Sequence, residues 1–213
     1  MSDKIGVCIA SRGMVFSKTM ESVIQNLKGK DFELYMAHDL PIPDCFNVPL
    51  KRALKDKCKL IWFVEEDMYV PSDTLDKMLA LFRAGHSVIS SDYADRRTRE
   101  SLVYRNEKDE ILYTGMGCML VKAELLKKLL PELIQTYVFW LVKNDDGITE
   151  LQPHPEIKNK GYGTQDVYLC YSLKELGEDI VLVDSKIGHL QLIEKGKSNQ
   201  NNGAHKIETV YVT

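Results

Sequence analysis

Two patterns of hydrophobic and polar positions alternate along the first 91 residues of the chain. Short apolar runs indicate strands buried on both faces, and apolar residues three and four positions apart indicate amphipathic helices. The predicted strands cover residues 4–10, 32–37, 60–64 and 86–91, and the predicted helices centre on residues 20–27, 50–54 and 75–82. We expect Ser17 to cap the first helix and Pro49 to lie in the first turn of the second. Because strands alternate with helices, we predict an α/β fold with a mostly parallel central sheet.

The alternation breaks after residue 91, where polar and glycine-containing stretches become longer. The predicted elements there are a small antiparallel hairpin over 102–105 and 110–113, a glycine-led strand over 115–121, helices over 123–130 and 166–176, and a strand over 179–183. The polar stretch over 143–164 is typical of a functional loop, and the tail from residue 193 is expected to be a mobile flap. We therefore predict one domain over 1–192, with halves of about 1–100 and 101–192, followed by a C-terminal flap over 193–213.

Three consecutive carboxylates, Glu65, Glu66 and Asp67, follow directly on the third predicted strand. An isolated buried carboxylate is very costly, so these acids are expected to emerge at the end of the strand. Open α/β sheets bind their ligands at that edge. Carboxylates concentrated there suit a hard divalent cation, and such a cation suits a phosphorylated substrate.

The composition narrows the class of protein without naming a function. With 44% hydrophobic and 28% charged residues and a net charge of −3, the 213-residue chain lacks the positive charge that tight non-specific polyanion binding requires. The five cysteines are scattered without a Cys-x-x-Cys pair, so we expect reduced thiols in a cytoplasmic protein. No apolar run approaches the roughly 20 residues of a membrane span, and we expect no integral membrane segment.

The order of these signals resembles the nucleotide-sugar-dependent glycosyltransferases of the GT-A fold, in particular the family-2-like group, over roughly residues 4–192. Four landmarks carry the resemblance: the strand end at Ala10-Ser11-Arg12, the acids at 65–67, the glycine strand at 115–121, and Gly163-Thr164-Gln165-Asp166-Val167 followed by Gly188-His189-Leu190. The resemblance implies a Rossmann-like three-layer sandwich. It also implies a nucleoside-diphosphate sugar as donor, Mn²⁺ or Mg²⁺ as cofactor, and transfer of the sugar to an acceptor hydroxyl with inversion.

The same resemblance implies roles for the acids and for one histidine. Asp67 would ligate the metal that bridges the donor diphosphate, with Glu65 and His189 as further candidate ligands and Glu66 near the ribose. This sequence has Glu where the family's Asp-x-Asp motif begins. Which of the three acids contacts the metal directly therefore stays open.

Asp166 is the implied catalytic base, which would remove the proton from the acceptor hydroxyl as that hydroxyl attacks. Gln165 replaces the first acid of the family's acidic pair. The alternative role for Asp166 is an acid at a helix start, where the helix macrodipole stabilises negative charge.

The remaining candidates are implied contacts with the donor. They are Ala10, Ser11 and Arg12 at the base and ribose, Asp39 at the base, Tyr93 and Arg96 near the donor, and Gly115 and Gly117 where substrate would approach the backbone. The two glycines could equally shape a bulge. Arg97 is read as solvated surface, and Phe139 and Trp140 as core residues or as a ledge for a sugar ring.

Two other classes of function compete with this hypothesis. A nucleotidyltransferase of similar sheet usually opens with a glycine-rich basic loop, whereas residues 11–14 here read Ser-Arg-Gly-Met. A non-catalytic nucleotide-sugar-binding module would need the donor site but no base. The acceptor stays open among a glycan, a protein, a small molecule and a modified nucleobase, as do the donor base, the sugar and the oligomeric state.

Overall fold

The computed structural model describes residues 3–131, 133–154, 165–194 and 205–212. The elements in chain order are β1 (Ile5–Ala10), α1 (Ser17–Leu27), β2 (Phe32–Met36), α2 (Asp44–Lys55), β3 (Leu60–Glu65), β4 (Met68–Tyr69), α3 (Thr74–Arg83), β5 (Val88–Ser91), β6 (Tyr104–Arg105), β7 (Ile111–Tyr113), β8 (Cys118–Lys122), α4 (Ala123–Lys128), β9 (Phe139–Lys143), β10 (Thr149–Pro153), α5 (Gln165–Glu175), β11 (Ile180–Val183), β12 (Gly188–Glu194) and β13 (His205–Val210). Apart from the two-residue strand β4, strands and helices alternate through β5, as the hydrophobic pattern predicts.

A six-stranded sheet in the order β11–β5–β8–β3–β1–β2 forms the centre of the protein. Its strands pair in parallel except at β8, which runs antiparallel to both β3 and β5. The prediction of a mostly parallel sheet is confirmed. Because β8 is reversed, its first residue lies at the edge where the neighbouring strands end. The structure thereby brings the glycine-containing segment before β8 to the edge at which open α/β sheets bind their ligands.

Both faces of the central sheet are covered by helices. In β1, Ile5, Val7 and Ile9 join the core formed with α1 and α3, whereas Cys8 and Ala10 join the core formed with α2, α4 and α5. All five residues are buried, and so are the first five residues of β3. A strand with helices on both faces has no solvent side, which explains why these segments read as unbroken apolar runs.

Two local predictions about helix starts are wrong. Ser17 is the first residue of α1 rather than its cap, and Phe16 occupies the capping position without a side-chain hydrogen bond. Pro49 lies inside α2, not in its first turn, because the buried face of that helix extends back to Cys45 and Phe46. Burial of these two side chains against the sheet favours the longer helix despite the hydrogen bond that proline cannot donate.

Half of the predicted loop over 143–164 is a hairpin, in which β9 and β10 pair antiparallel. The Asn144 carboxamide oxygen accepts hydrogen bonds from the N–H groups of Asp146 and Ile148 and so shapes the turn. Trp140 is 46% exposed and Phe139 is half-buried, so the core alternative is wrong for Trp140, and the ledge alternative stays a prediction. Residues 155–164 lie outside the described residues.

A second antiparallel sheet, in the order β13–β12–β4, stands beside the end of β3. The predicted flap over 193–213 contains β13, which pairs with β12 over its whole length; residues 195–204 lie outside the described part. The predicted hairpin between β6 and β7 is confirmed. No helix in the described ranges is both long enough and apolar enough to cross a bilayer.

Asn26 in α1 provides the cap that α3 lacks. The side chain of Asp73, at the capping position of α3, makes no capping hydrogen bond. Instead, the carboxamide oxygen of Asn26 accepts the N–H of Leu75 at 2.9 Å, and its nitrogen donates to the carbonyls of Val70 at 3.2 Å and Pro71 at 2.9 Å. One fully buried side chain therefore fixes the segment that follows the acidic run.

Replacing Asn26 with leucine should lower the free energy of unfolding by about 2–4 kcal/mol, because the substitution leaves the Leu75 N–H and the Val70 carbonyl without the side-chain partner that they have in the buried core. The Pro71 carbonyl keeps its hydrogen bond with the Thr74 N–H. Urea unfolding followed by circular dichroism measures this change. The matched control is Gln25→Leu at the exposed neighbouring position, which should stay within about 0.5 kcal/mol of wild type. Equal stability of the two variants would contradict the capping role.

Candidate active site at the carboxyl edge of the sheet

A cavity of about 290 Å³ opens at the carboxyl edge of the central sheet. Its lining includes nine of the residues singled out from the sequence: Ala10, Arg12, Glu65, Glu66, Asp67, Tyr93, Arg96, Asp166 and His189. They come from the ends of β1 and β3, the segment after β5, the first turn of α5 and the start of β12. Parallel strands end at one edge of a sheet, so residues far apart in sequence meet there.

Asp67 lies at the centre of this group and is only 4% exposed. Its Oδ2 accepts a hydrogen bond from Arg96 Nη1 at 2.8 Å and lies 3.4 Å from His189 Nε2. The β4–β12 pairing produces this meeting, because His189 is the partner of Met68 and the N–H of Leu190 donates to the Asp67 carbonyl at 2.7 Å. The backbone ladder itself thus fixes the distance between Asp67 and His189.

The surroundings of Asp67 favour its charged form. Burial alone would raise the pKa of this carboxyl, but the hydrogen bond with His189 and the nearby charges of His189, Arg96 and Arg12 hold the pKa below its usual value. Asp67 is therefore an ionised carboxylate at neutral pH in a nearly closed position.

His189 is oriented by its neighbours. Its Nδ1 lies 3.0 Å from the Ala94 carbonyl, and because a carbonyl oxygen only accepts hydrogen bonds, Nδ1 carries a proton. That arrangement directs Nε2 toward Asp67. Tyr93 packs edge-on against the imidazole with ring centroids 5.7 Å apart. A histidine whose second nitrogen is held by a carbonyl is the usual arrangement of a metal ligand.

Two further carboxyls in the cavity hold their protons more tightly than usual. Burial, together with repulsion from Asp67 and Asp166, raises the pKa of Glu65 to about 8, although Arg12 and Arg96 partly oppose the shift. Burial also raises the pKa of Asp166 to about 6, and the N–H of Val167, which donates to Asp166 Oδ1 at 2.9 Å, opposes that rise. A carboxyl with a pKa near 6 can exchange a proton near neutral pH.

Glu66 is committed to a structural contact with Arg12. Its Oε1 accepts hydrogen bonds from Arg12 Nε at 3.0 Å and Nη2 at 2.8 Å, and its Oε2 accepts the Arg12 backbone N–H at 2.7 Å. The Glu66 carbonyl also accepts the N–H of Phe16 at 3.0 Å. Glu66 therefore fastens the segment between β1 and α1 to the end of β3, and its carboxylate faces Arg12.

Gly115 and Gly117 make room for a tyrosine. A Cβ atom at Gly117 would lie 2.7 Å from Tyr93 Cζ, and one at Gly115 would clash with the Tyr93 hydroxyl. That hydroxyl accepts the N–H of Gly117 at 2.7 Å. These contacts give both glycines a packing role, in which the Tyr93 ring fills the space beside the backbone.

Four predicted residues do not belong to the described residues that line the cavity: Ser11, Asp39, Gly115 and Gly117. The Ser11 hydroxyl is buried in the turn after β1, where it donates to the Met14 carbonyl at 3.1 Å and accepts the Gly13 N–H at 3.1 Å. Asp39 is exposed, with a positive φ of 53°, and its carboxylate approaches Gly13.

Sequence reasoning missed one wall of the cavity. Its lining also includes Ile42, Cys45, Phe46, Asp95, Arg97, Leu102 and Gln165. Ile42, Cys45 and Phe46 lie at or just before the start of α2, and Leu102 precedes β6. No pattern distinguishes these apolar residues from ordinary core residues. Arg97, predicted as solvated surface, is exposed and also lines the cavity beside Arg12 and Arg96.

The acids and histidine do not form a complete metal site on their own. Within the described ranges, no three Asp, Glu, His or Cys side chains are grouped closely enough to hold a metal ion. Asp67 and His189 are thus two potential ligands, and any further ligand would have to come from elsewhere.

Three solved structures are similar to this chain to different degrees. The chain is similar to A197 from STIV, with a TM-score of 0.60 and 20% sequence identity over 89% of this chain and 85% of that one. A 4-diphosphocytidyl-2C-methyl-D-erythritol synthase from Anaerococcus prevotii gives a TM-score of 0.46 and 10% identity over 85% of this chain and 88% of its own. S. aureus TarS in complex with UDP-GlcNAc gives a TM-score of 0.45 and 14% sequence identity over 86% of this chain and 56% of its own. Neither a protein-family model nor a curated protein matches the chain. The likeness to A197 shows a shared fold.

The raised pKa of Glu65 predicts a pH-dependent stability. Between about pH 5 and 8 the folded protein keeps a proton on Glu65 that the unfolded chain has lost, so the free energy of unfolding falls as pH rises. Glu65→Gln removes this titration. Over that range the variant should lose less stability than wild type, by at least ~1.4 kcal/mol, the equivalent of one pKa unit.

Urea unfolding at a series of pH values measures this difference, with the exposed Glu100→Gln as the matched control. The control should follow the wild-type curve. Parallel curves for wild type and Glu65→Gln would show that the proton is not held at Glu65.

Proposed function

We propose that this protein is a metal-dependent glycosyltransferase of the GT-A type, with helices on both faces of the sheet as its three layers. It transfers a sugar from a nucleoside-diphosphate sugar to an acceptor hydroxyl. The observation that carries this proposal is the meeting of an ionised, buried Asp67 with His189 in one cavity that also holds a carboxyl of raised pKa, Asp166. The first two suit a cation, and the third suits proton transfer.

The donor set at Asp67 and His189 fits Mn²⁺ or Mg²⁺. Two ligands at about 2.1 Å from one cation are about 3.0–3.4 Å apart, and Asp67 Oδ2 and His189 Nε2 are 3.4 Å apart. Such cations are commonly held by one or two protein groups, with substrate phosphates and water as the other ligands. When bound, the cation would neutralise the charge that builds on the leaving diphosphate. Without a cation, burial and the charges of Asp67 and Asp166 raise the pKa of Glu65 to about 8. A bound cation would favour the charged form of this carboxyl, so Glu65 stays a candidate third ligand.

Three guanidinium groups support the binding of a diphosphate. Arg12, Arg96 and Arg97 line the same cavity as the acids, and a guanidinium can bind phosphate oxygens with two parallel hydrogen bonds. The apolar wall formed by Ile42 and Phe46 offers a surface for the base or the sugar ring. One polar and one apolar wall are what an amphiphilic nucleotide sugar requires.

Asp166 serves as the base in this proposal. Its carboxylate removes the proton of the acceptor hydroxyl while that oxygen attacks the anomeric carbon from the side opposite the diphosphate, which inverts the anomeric centre. Burial keeps the pKa of Asp166 at about 6, so the carboxylate is mostly free of its proton at pH 7 yet basic enough to accept one.

A thermal-shift panel of nucleotide sugars with and without Mn²⁺ tests the donor and the metal together. One donor at about 100 times its Kd should stabilise the protein by about 2.7 kcal/mol, which is a shift of about 5–10 °C, and only when Mn²⁺ is present. Asp67→Asn should lose the shift. Nucleoside triphosphates in the same panel test the nucleotidyltransferase alternative. A flat response to every nucleotide sugar would contradict the proposal.

Asp166→Asn should lower kcat by about 10²–10⁴-fold while donor binding stays within a few-fold of wild type. The wild-type rate should rise with pH through about 6, because the base works only after it has lost its proton, and the variant should lack this rise. Initial rates measured from pH 5 to 8 give both quantities. Asp146→Asn in the exposed β9–β10 turn is the matched control. Full turnover in Asp166→Asn would favour the view of this acid as a helix-start residue.

A further inference from the structure

Arg96 and His189 converge on a single oxygen atom of Asp67. Arg96 Nη1 lies 2.8 Å and His189 Nε2 lies 3.4 Å from Oδ2. The side chain of Asp67 is 5% exposed and that of Arg96 is 35% exposed. The guanidinium therefore reaches a buried carboxylate from a position that is still open to solvent. It supplies at Asp67 the positive charge that a divalent cation would otherwise supply.

The backbone that carries Arg96 is fixed, so the side chain is the part that can move. Asp95 Oδ1 accepts the N–H groups of Arg97 at 2.7 Å and Thr98 at 3.0 Å, and Ala94 forms a bridge with Ser101. The Ala94 carbonyl in turn binds His189 Nδ1. A change at Asp67 would be taken up by rotation of the long Arg96 side chain, which needs no movement of these anchored segments.

We propose that Arg96 is a stand-in cation. It neutralises Asp67 while the site holds no metal, leaves Asp67 when a divalent cation binds there, and then binds a phosphate oxygen of the donor. The inference rests on the proposed function, since it takes Asp67 as the metal ligand. Arg96 and a divalent cation on the same carboxylate oxygen would repel each other strongly in this partly buried place.

This exchange couples two binding events. Metal alone must displace Arg96 and gains no new partner for the released guanidinium, so its affinity is reduced. A diphosphate offers Arg96 a bidentate partner, so it favours the same displacement. Each ligand then tightens the binding of the other by the same factor, as linkage requires. Arg96 thereby keeps the site from holding a metal ion firmly before the donor arrives.

Two affinities measured on the full chain test the exchange. The affinity for Mn²⁺ alone is obtained from the electron paramagnetic resonance signal of free Mn²⁺, and the affinity for the Mn²⁺–pyrophosphate complex by titration calorimetry in excess Mn²⁺. Arg96→Met should bind Mn²⁺ alone about tenfold or more tightly than wild type and the pyrophosphate complex about tenfold more weakly. Arg96→Lys, which keeps the charge, should stay near wild type for Mn²⁺ alone and weaken the pyrophosphate complex.

Arg99→Met is the matched control, because Arg99 belongs to the same segment but its 55% exposed side chain lies 3.8 Å from Glu208. Both of its affinities should equal those of wild type. Metal affinity that is unchanged or lower in Arg96→Met overturns the exchange and leaves the proposed function standing. A wild-type protein that binds neither Mn²⁺ nor its pyrophosphate complex overturns the exchange and the proposed function together.

Discussion

The negative charge of Asp67, nearly enclosed at the end of the central sheet, is the constraint on which the rest of the site depends. A buried carboxylate stays charged only if nearby positive groups or hydrogen-bond donors offset its loss of solvation. Removal of one such partner lowers the stability of the protein by more than the net energy of the contact suggests. Three separate segments supply that compensation: the segment after β5 with Arg96, β12 with His189, and the turn after β1 with Arg12. Each of these segments is held by its own backbone contacts. The charge of Asp67 therefore connects the six-stranded sheet to the sheet formed by β13, β12 and β4.

The reversed strand β8 decides how that edge of the sheet is built. A parallel strand between β3 and β5 would have brought its carboxyl end to the cavity, whereas β8 brings the residues that precede it. Gly115 and Gly117 stand there because the Tyr93 ring lies against their backbone, and Tyr93 in turn packs on His189. The orientation of a candidate ligand thus depends on two residues that have no side chain.

The cavity separates its acids by environment. Asp67, surrounded by cationic groups, has a lowered pKa. Burial raises the pKa of Asp166, and burial together with the charges of Asp67 and Asp166 raises that of Glu65. Acids of one type whose environments push their pKa values apart can carry different roles in one reaction. A permanently charged acid suits a cation, and an acid that gains and loses its proton near pH 6 suits proton transfer. The proposed division between Asp67 and Asp166 follows this separation.

The alternating elements through β5, the mostly parallel sheet and the acidic end of β3 could be predicted from the amino-acid pattern, because an unbroken apolar run followed by three acids has few physical solutions. The spacing of apolar residues could not reveal that β8 runs antiparallel to β3 and β5. Strand direction depends on the connections of the chain and not on the side-chain pattern. The sequence could not foresee that Glu66 binds Arg12 while Asp67 faces His189, because both acids lie in the turn between β3 and β4, where side-chain directions follow no fixed period. Only the tertiary structure decided these contacts, and with them the charge state of each acid, because burial and partners from distant segments set a pKa.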